Sequence, residues 1–221
     1  MTEFPEFWSL LTDQEAADFQ GHSRQRDWRR GAVIFRETDP SDSVVVLRTG
    51  RVKASSYTAG GTEVVLAVRG PGALLGELSS IDRGQRSATV TALEPVAALV
   101  MPLADFETYL ATHGRVAYLL MRILAEKLRD ADRKRIEFGA YDTTGRVAAR
   151  LVELAERFGR QVEDEIHIDL PISQDELAGW IGASREAVSK ALGVLRTSGW
   201  IKTSRLSVVV RDLDSLRDRA S

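Results

Sequence analysis

ISQDELAGWIGASREAVSKALGVLRTSGWI, residues 172–201, holds two short helical patterns around a Gly-Ala turn. Ser173 can cap the first helix, and Glu176 stands three residues on, as a capping box requires. Gly182 supplies a permissive backbone at the turn, and Ser184 caps the second helix. Ala187, Val188, Ala191, Leu192 and Leu195 can face a core. Arg185, Glu186, Ser189 and Lys190 are left toward solvent at the start of the second helix. WIKTSRLSVVVRD, residues 200–212, then reads as a hairpin. Helix, glycine turn, helix and hairpin make a winged helix-turn-helix pattern. That arrangement lays the first residues of its second helix against base edges in the major groove.

The exposed residues suit double-stranded DNA. Arg185 can donate two hydrogen bonds to guanine O6 and N7, Glu186 can accept from a cytosine amino group, and Lys190 can reach a base acceptor or a phosphate. From Ser184 to Arg205, the cations Arg185, Lys190, Arg196, Lys202 and Arg205 face Glu186 alone, in a chain of net charge −2. Such a local basic patch is the footprint of nucleic-acid binding. Lys202 and Arg205 fall in the hairpin, where phosphate contact is the expected role. The competing reading is a solvated helix surface with ordinary charges.

Upstream, QVEDEIHIDLPIS (161–173) looks like a strand and a turn. TTGRVAARLVELAERFG (143–159) is an amphipathic helix with Val147, Leu151, Leu154 and Phe158 on one face. From Gly114 to Phe138 the period is again helical. Ala117, Met121, Leu124, Leu128, Ala131, Arg135 and Phe138 alternate steps of four and three, a heptad seam. Arg122, Glu126, Lys127, Arg129, Asp130, Arg133 and Lys134 flank it. A core-facing helix would bury a wider stripe, so the narrow seam predicts a dimer helix. A core helix within the chain is the alternative.

From Gly31 to Met101 the pattern changes to short apolar runs. AVIF, SVVVL, RVKASSY, EVVLAV, SATVTAL and VAALVM are separated by ETDPSD, RTG, TAGGT, GPG and DRGQ. Breaks rich in Gly, Pro, Asp and Ser favour turns, and many short strands at even spacing read as an antiparallel barrel or roll. TDQEAADFQ (12–20) before them looks like a short capped helix.

The roll carries a second motif, GALLGELSSIDRGQRSATVTA (72–92). A phosphodiester needs a guanidinium and hydroxyl or backbone donors. Arg86 and Ser87 supply them, and small Ala88 leaves room for backbone N–H contacts. Glu77 can accept from a ribose hydroxyl, and Gly76 lets the backbone approach a ligand. The competing reading is a turn with a surface ion pair between Glu77 and Arg86.

Composition narrows the choices. The chain has 221 residues, 43% of them hydrophobic and 28% charged, which is ordinary for a globular protein with a real core. There are no cysteines, which removes disulfides, thiolate metal sites and iron–sulfur clusters. His22, His113 and His167 offer no i, i+4 pair for a metal. No ATPase-type phosphate loop and no nucleophile–base motif appears, so no enzyme is expected. The start, MTEFPEFW, lacks a basic region followed by an apolar run, and the longest apolar stretches are too short to span a bilayer. No membrane association is expected, and the chain is read as cytoplasmic.

The segment GASREAVSKALGVLRTSGWI, preceded by a roll with Gly76-Glu77-Leu78 and Arg86-Ser87-Ala88, resembles the Crp/Fnr family in its catabolite activator protein group. The resemblance covers roughly residues 20–215. It implies an α+β fold: a β-roll cyclic-nucleotide-binding domain (1–112), a long dimerisation helix (113–139) and a C-terminal winged helix-turn-helix DNA-binding domain (140–221). It implies that Arg185, Glu186 and Lys190 contact a half-site resembling TGTGA, with lysine standing where some members carry arginine. It implies a homodimer, allosteric control by a cyclic nucleotide, and RNA polymerase as a partner. Members that sense cAMP often place a threonine and a neighbouring serine or asparagine on the long helix to face the adenine amino group. Counting back from the Asp142-Thr143-Thr144-Gly145-Arg146 hinge, those positions fall on Ala131 and Asp132. Asp132 can accept from an adenine amino group or take two donors from a guanine edge. cAMP is the favoured effector, with cGMP, another nucleotide or no effector as alternatives. The haem-binding relatives use cysteine and histidine ligands that match nothing here.

Overall fold

The computed structural model describes residues 6–169, 172–204 and 207–220. Their contacts divide into two compact units, one of Pro5–Ser56 with Leu66–Asp130 and one of Tyr57–Val65 with Ala131–Ser221. In the first, a 3-10 turn (Phe7–Leu10) leads to helix α1 (Asp13–Gly21). Thr12 and Glu15 close a capping box at its start, a device that contributes about 1 kcal/mol.

Strands β1 (Arg24–Trp28), β2 (Val33–Phe35), β3 (Ser43–Thr49), β4 (Val52–Tyr57), β5 (Glu63–Arg69) and β6 (Leu74–Leu75) follow. After helix α2 (Glu77–Ile81) come β7 (Thr89–Ala92) and β8 (Val96–Pro102). They make two sheets, of order β1-β8-β3-β6 and β2-β7-β4-β5. The ladders of β8 with β1 and β3, of β3 with β6, and of β7 with β2 and β4 are antiparallel. This is the expected β-roll.

Strand β3 explains the apolar run SVVVL. Val44 and Val46 enter a core with Phe7, Phe19, Met101, Phe106, Tyr109, Val116 and Leu120. Val45 and Leu47 enter a second core with Trp28, Val52, Leu75, Val90 and Val96. A strand buried on both faces has no polar side to show, so it reads as a continuous apolar run.

Helix α3 (Leu103–Thr112) starts directly after Pro102, and helix α4 (Gly114–Ala140) follows it. The start of α4 is anchored in the first core. Val116, Leu119 and Leu120 are buried, and Ile123 and Leu124 pack against that core from its edge.

The second unit holds helices α5 (Thr143–Phe158), α6 (Gln174–Ile181), α7 (Arg185–Thr197) and α8 (Leu213–Arg219). Strands β9 (Arg160–Val162), β10 (Glu165–Ile168), β11 (Ile201–Ser204) and β12 (Ser207–Val210) form a sheet of order β11-β12-β10-β9. Asp142 caps α5 by accepting from Gly145 N at 2.8 Å, and its carboxylate also takes Arg219 Nη2 at 2.5 and 2.6 Å. Arg150 of α5 is 4% exposed and pairs with Glu137 near the end of α4 and with Glu153.

Some elements differ from the sequence expectations. The strands begin at Arg24 rather than Gly31, and RQVEDEIHI (160–168) is a hairpin rather than one strand, turning through Glu163 at φ 52°. Helices α2, α3 and α8 were not anticipated. Among the described residues, no helix is long and apolar enough to cross a membrane.

Candidate functional site

The first site is the loop that joins β6 to β7, and Gly76 decides its shape. Gly76 has φ 82°, a left-handed conformation, in which a Cβ is strained. A Cβ there would also lie 2.5 Å from Arg86 Nη1 and 3.2 Å from both the Phe35 ring and Ser43 O. The glycine therefore lets Arg86 lie against the main chain. Ser80 Oγ donates to Gly76 O at 3.0 Å and Ser79 Oγ donates to the same oxygen at 3.3 Å, tightening the start of α2.

Arg86 enters this frame from the other end of the loop. Its N–H donates to Asp39 O and its carbonyl accepts from Thr38 N, each at 2.9 Å. The residue is 4% exposed. Nη1 donates to Gly76 O at 3.4 Å and Ser79 Oγ at 3.2 Å, and Nη2 donates to Asp42 Oδ1 at 3.0 Å and Ser43 O at 2.8 Å. The guanidinium centre lies 3.7 Å from the Phe35 ring centroid. Burial pulls the Arg86 pKa below its usual value, against the attraction of Asp42, Asp39 and Glu77. The result is a desolvated cation at the mouth of a small loop, where attraction for an anion is strongest.

Glu77 is buried too, and its partner is not Arg86. Its Oε1 accepts from Lys127 Nζ of α4 at 2.6 Å. The simple Glu77–Arg86 surface pair is thus replaced by two separate pairs, Glu77 with Lys127 and Arg86 with Asp42. Leu78 is 47% exposed, Ser87 is exposed and Ala88 is half-buried. Arg86 is thus brought onto the main chain at Gly76, next to Glu77, with Ser87 and Ala88 following it along the chain. Asp132 and Ala131 are exposed and belong to the other unit. Sequence reasoning missed Phe35, Asp42 and Lys127.

The second site is the helix pair of the second unit. Ser173 and Glu176 close the expected capping box on α6, with Glu176 N donating to Ser173 Oγ at 3.1 Å and Ser173 N to Glu176 Oε2 at 2.8 Å. Gly182 ends α6 at φ 62°. A Cβ on it would lie 2.4 Å from the Phe138 ring, so the turn carries no side chain for two reasons. Ser184 Oγ accepts from Ala187 N at 3.2 Å and caps α7. Val188, Ala191, Leu192 and Leu195 are buried, while Arg185, Glu186, Ser189 and Lys190 are exposed.

Two partners of this surface were not foreseen. Arg185 Nη1 lies 3.5 Å from Asp175 Oδ2, and both are largely exposed. Lys202 Nζ lies 3.4 Å from Glu165 Oε1, which also takes Arg211 Nε at 2.9 Å. The Glu186 carboxyl is held below the usual range by its own backbone N–H and the Ser184 hydroxyl. Arg205 lies outside the described residues.

The seam positions on α4 fall into groups. Met121 and Leu128 are 59% and 64% exposed, and Ala131 is exposed. Ala117 and Leu124 are half-buried, Leu124 against the core of its own unit. Phe138 is 48% exposed, with the turn at Gly182 and the Arg146 guanidinium against its ring.

Two family models match the chain. Residues 25–113 match the model of a cyclic nucleotide-binding domain, and residues 145–219 match that of a Crp-like helix-turn-helix domain. The chain is 34% identical to a CRP-like cAMP-activated global transcriptional regulator of Mycobacterium tuberculosis, over 88% of this chain and 87% of that one. It is 32% identical to the Cyclic AMP receptor protein of Thermus thermophilus, over 95% and 94% of the two chains. Its fold superposes on that of FixK2 from Bradyrhizobium japonicum with a TM-score of 0.80, at 23% identity, covering 90% of this chain and 98% of the other.

Proposed function

Because the chain belongs to the Crp/Fnr family of DNA-binding transcription regulators, we propose that it is a homodimeric switch, controlled by cAMP and reading a TGTGA-like palindrome. One observation carries the proposal: the same chain holds a desolvated arginine in a glycine-cornered loop and a helix that presents Arg185 and Lys190 to solvent. The first suits a phosphodiester and the second suits base edges. RNA polymerase is the proposed further partner, and the cytoplasm the proposed compartment. The proposed domains are the roll (1–112), the dimer helix (113–139) and the winged helix (140–221). Calorimetry with cAMP and cGMP, followed by fluorescence anisotropy on a TGTGA-type duplex with and without the tighter ligand, tests the whole reading. DNA affinity that ignores both nucleotides would overturn the switch.

The mechanism is linkage. A ligand shifts an equilibrium between two arrangements of the DNA-reading helices by its differential affinity for them. Glu77 is the point where the ligand loop already touches α4, through Lys127. A ribose hydroxyl donating to Glu77 would compete with that ammonium group, so occupancy alters a contact between loop and helix.

Two consequences are testable. Met121 and Leu128 leave an apolar face on α4 beside the face buried within the chain, and a second copy of α4 is its proposed cover. Leu128→Asp should convert dimers to monomers, since it places paired charges in an apolar seam; light scattering reads the mass. Leu124 is a poorer probe, because its change would also disturb the roll core. Asp132 is the proposed base-facing residue. Asp132→Ala should change the ratio of cAMP to cGMP affinity several-fold in calorimetry. Equal change for both ligands would remove Asp132 from base choice.

A further inference from the structure

We propose that Asp42 is a resident anion on Arg86 that makes the pocket select singly charged cyclic phosphodiesters over doubly charged phosphomonoesters. The inference rests on the reading of the loop as a cyclic-nucleotide site and adds a residue that the motif does not contain.

The geometry distinguishes the two partners of the ion pair. Each terminal nitrogen of Arg86 has two hydrogens. Those of Nη1 point to Gly76 O and Ser79 Oγ, and those of Nη2 to Ser43 O and Asp42 Oδ1. Three of these acceptors are backbone carbonyls or a buried hydroxyl, fixed in the frame. The fourth is a carboxylate whose side chain is 84% exposed, against 3% for the arginine. Phe35 covers one face of the guanidinium. Arg86 therefore stays in place, while the Asp42 carboxylate, whose Oδ1 otherwise accepts from the Ser43 hydroxyl at 2.8 Å, can swing into water.

Access is available. Arg86, Asp42, Ser43 and Phe35 all border one cavity of about 140 Å³, the space of several waters. An anionic oxygen arriving at Nη2 would exchange with the carboxylate rather than add to it.

Charge then decides which anion is favoured. Before ligand binds, Arg86 is balanced by Asp42 and Glu77 by Lys127. A cyclic phosphodiester brings one negative charge. A phosphomonoester, whose second pKa is near 6, brings about two at pH 8. The displaced carboxylate stays tethered beside the site and repels the ligand in proportion to the ligand's charge. Two unit charges about 4 Å apart in water-like surroundings interact by about 1 kcal/mol, or roughly a fivefold change in affinity. Asp42→Asn should then tighten cAMP about fivefold and 5′-AMP about twenty-fivefold, on the same single-charge figure. The preference for cAMP over 5′-AMP should narrow by roughly fivefold, a ratio that a merely structural role would not move.

The experiment is calorimetry on the full chain at pH 8, with cAMP and cGMP titrated directly and 5′-AMP competing against the tighter of them. It compares the unsubstituted protein, Asp42→Asn and Asp42→Glu. Tighter binding of both ligand classes by Asp42→Asn, with the larger gain for 5′-AMP and no gain in Asp42→Glu, is the expected result. The proposal is overturned by unchanged or weaker cyclic-nucleotide binding, by equal gains for both classes, by 5′-AMP binding still undetectable in Asp42→Asn, or by a similar gain in Asp42→Glu. If neither the unsubstituted chain nor Asp42→Asn binds cAMP or cGMP, the pocket itself is misread and the role of Asp42 falls with it.

Discussion

Arg86→Leu is expected to weaken cyclic-nucleotide binding by about a hundredfold, which corresponds to ~2.7 kcal/mol. The figure follows from the site. A hydrogen bond to a charged group contributes about 1.5–3 kcal/mol, so the loss of even one or two such bonds reaches it. Folding should suffer as well. Removing the guanidinium takes the Arg86 donor from Ser43 O, while Gly76 O keeps the hydroxyls of Ser79 and Ser80, and a buried acceptor left unsatisfied costs about 1–3 kcal/mol. Thermal melting by circular dichroism should therefore show a lower Tm with one cooperative transition retained. Arg86→Lys separates the two effects. It keeps the charge but loses the planar fork, so its affinity should fall between those of the unsubstituted chain and Arg86→Leu. Calorimetry at a temperature where all three are folded checks the order. Equal affinity in all three would remove Arg86 from the site.

The part of this site that is legible in the sequence is the part that lies close together along the chain. Gly76 and Glu77 precede Arg86 and Ser87 by one short loop, so type and spacing were enough to name them. Phe35, Asp42 and Lys127 reach the same place from a strand, the turn before β3 and a helix some 40–50 residues away, and Asp42 and Lys127 bond there across separations of 44 and 50 residues. In the sequence, Asp42 belongs to a turn string and Lys127 to a charged helix flank, and neither setting hints at a buried partner. The same division runs through the fold. Capping residues Thr12, Ser173 and Ser184 act within three residues of their targets and mark their helices correctly. Strand β1, RQRDW, has four exposed residues and no apolar alternation; its strand character comes from five pairings with β8, a tertiary effect that outweighs local propensity. The long helix shows both causes at once. Its heptad seam is real as a pattern, yet Leu124 serves the roll core while Met121 and Leu128 stay exposed, because one turn of helix offers neighbouring residues to different surfaces.

Arg185→Ala and Lys202→Ala should both weaken DNA binding, and they should do so differently. Arg185 sits at the first position of α7, directly after the Ser184 cap, with its guanidinium near Asp175 and largely exposed. That places a rigid fork at the end of the helix that a helix-turn-helix turns toward base edges. A good bidentate pair with guanine gives roughly 1–3 kcal/mol of discrimination. Arg185→Ala should thus lose about ten- to a hundredfold on a duplex with the guanine intact, and should barely respond when that guanine is replaced. Lys202 lies on β11 of the hairpin, with Glu165 as its neighbour in the free protein. A flexible ammonium group in that position suits a phosphate, which positions the protein without reading sequence. Lys202→Ala should weaken all duplexes alike and lower the magnitude of the salt slope by about one unit. Glu165 makes this loss smaller than that of a free lysine, because part of the charge on Lys202 is already answered before DNA arrives. Fluorescence anisotropy on matched and guanine-substituted duplexes, at several salt concentrations and with cyclic nucleotide present, separates the two patterns. If Arg185→Ala keeps the full preference for the guanine site, α7 is not the reading helix, and the assignment of the base contacts has to move to another part of the second unit.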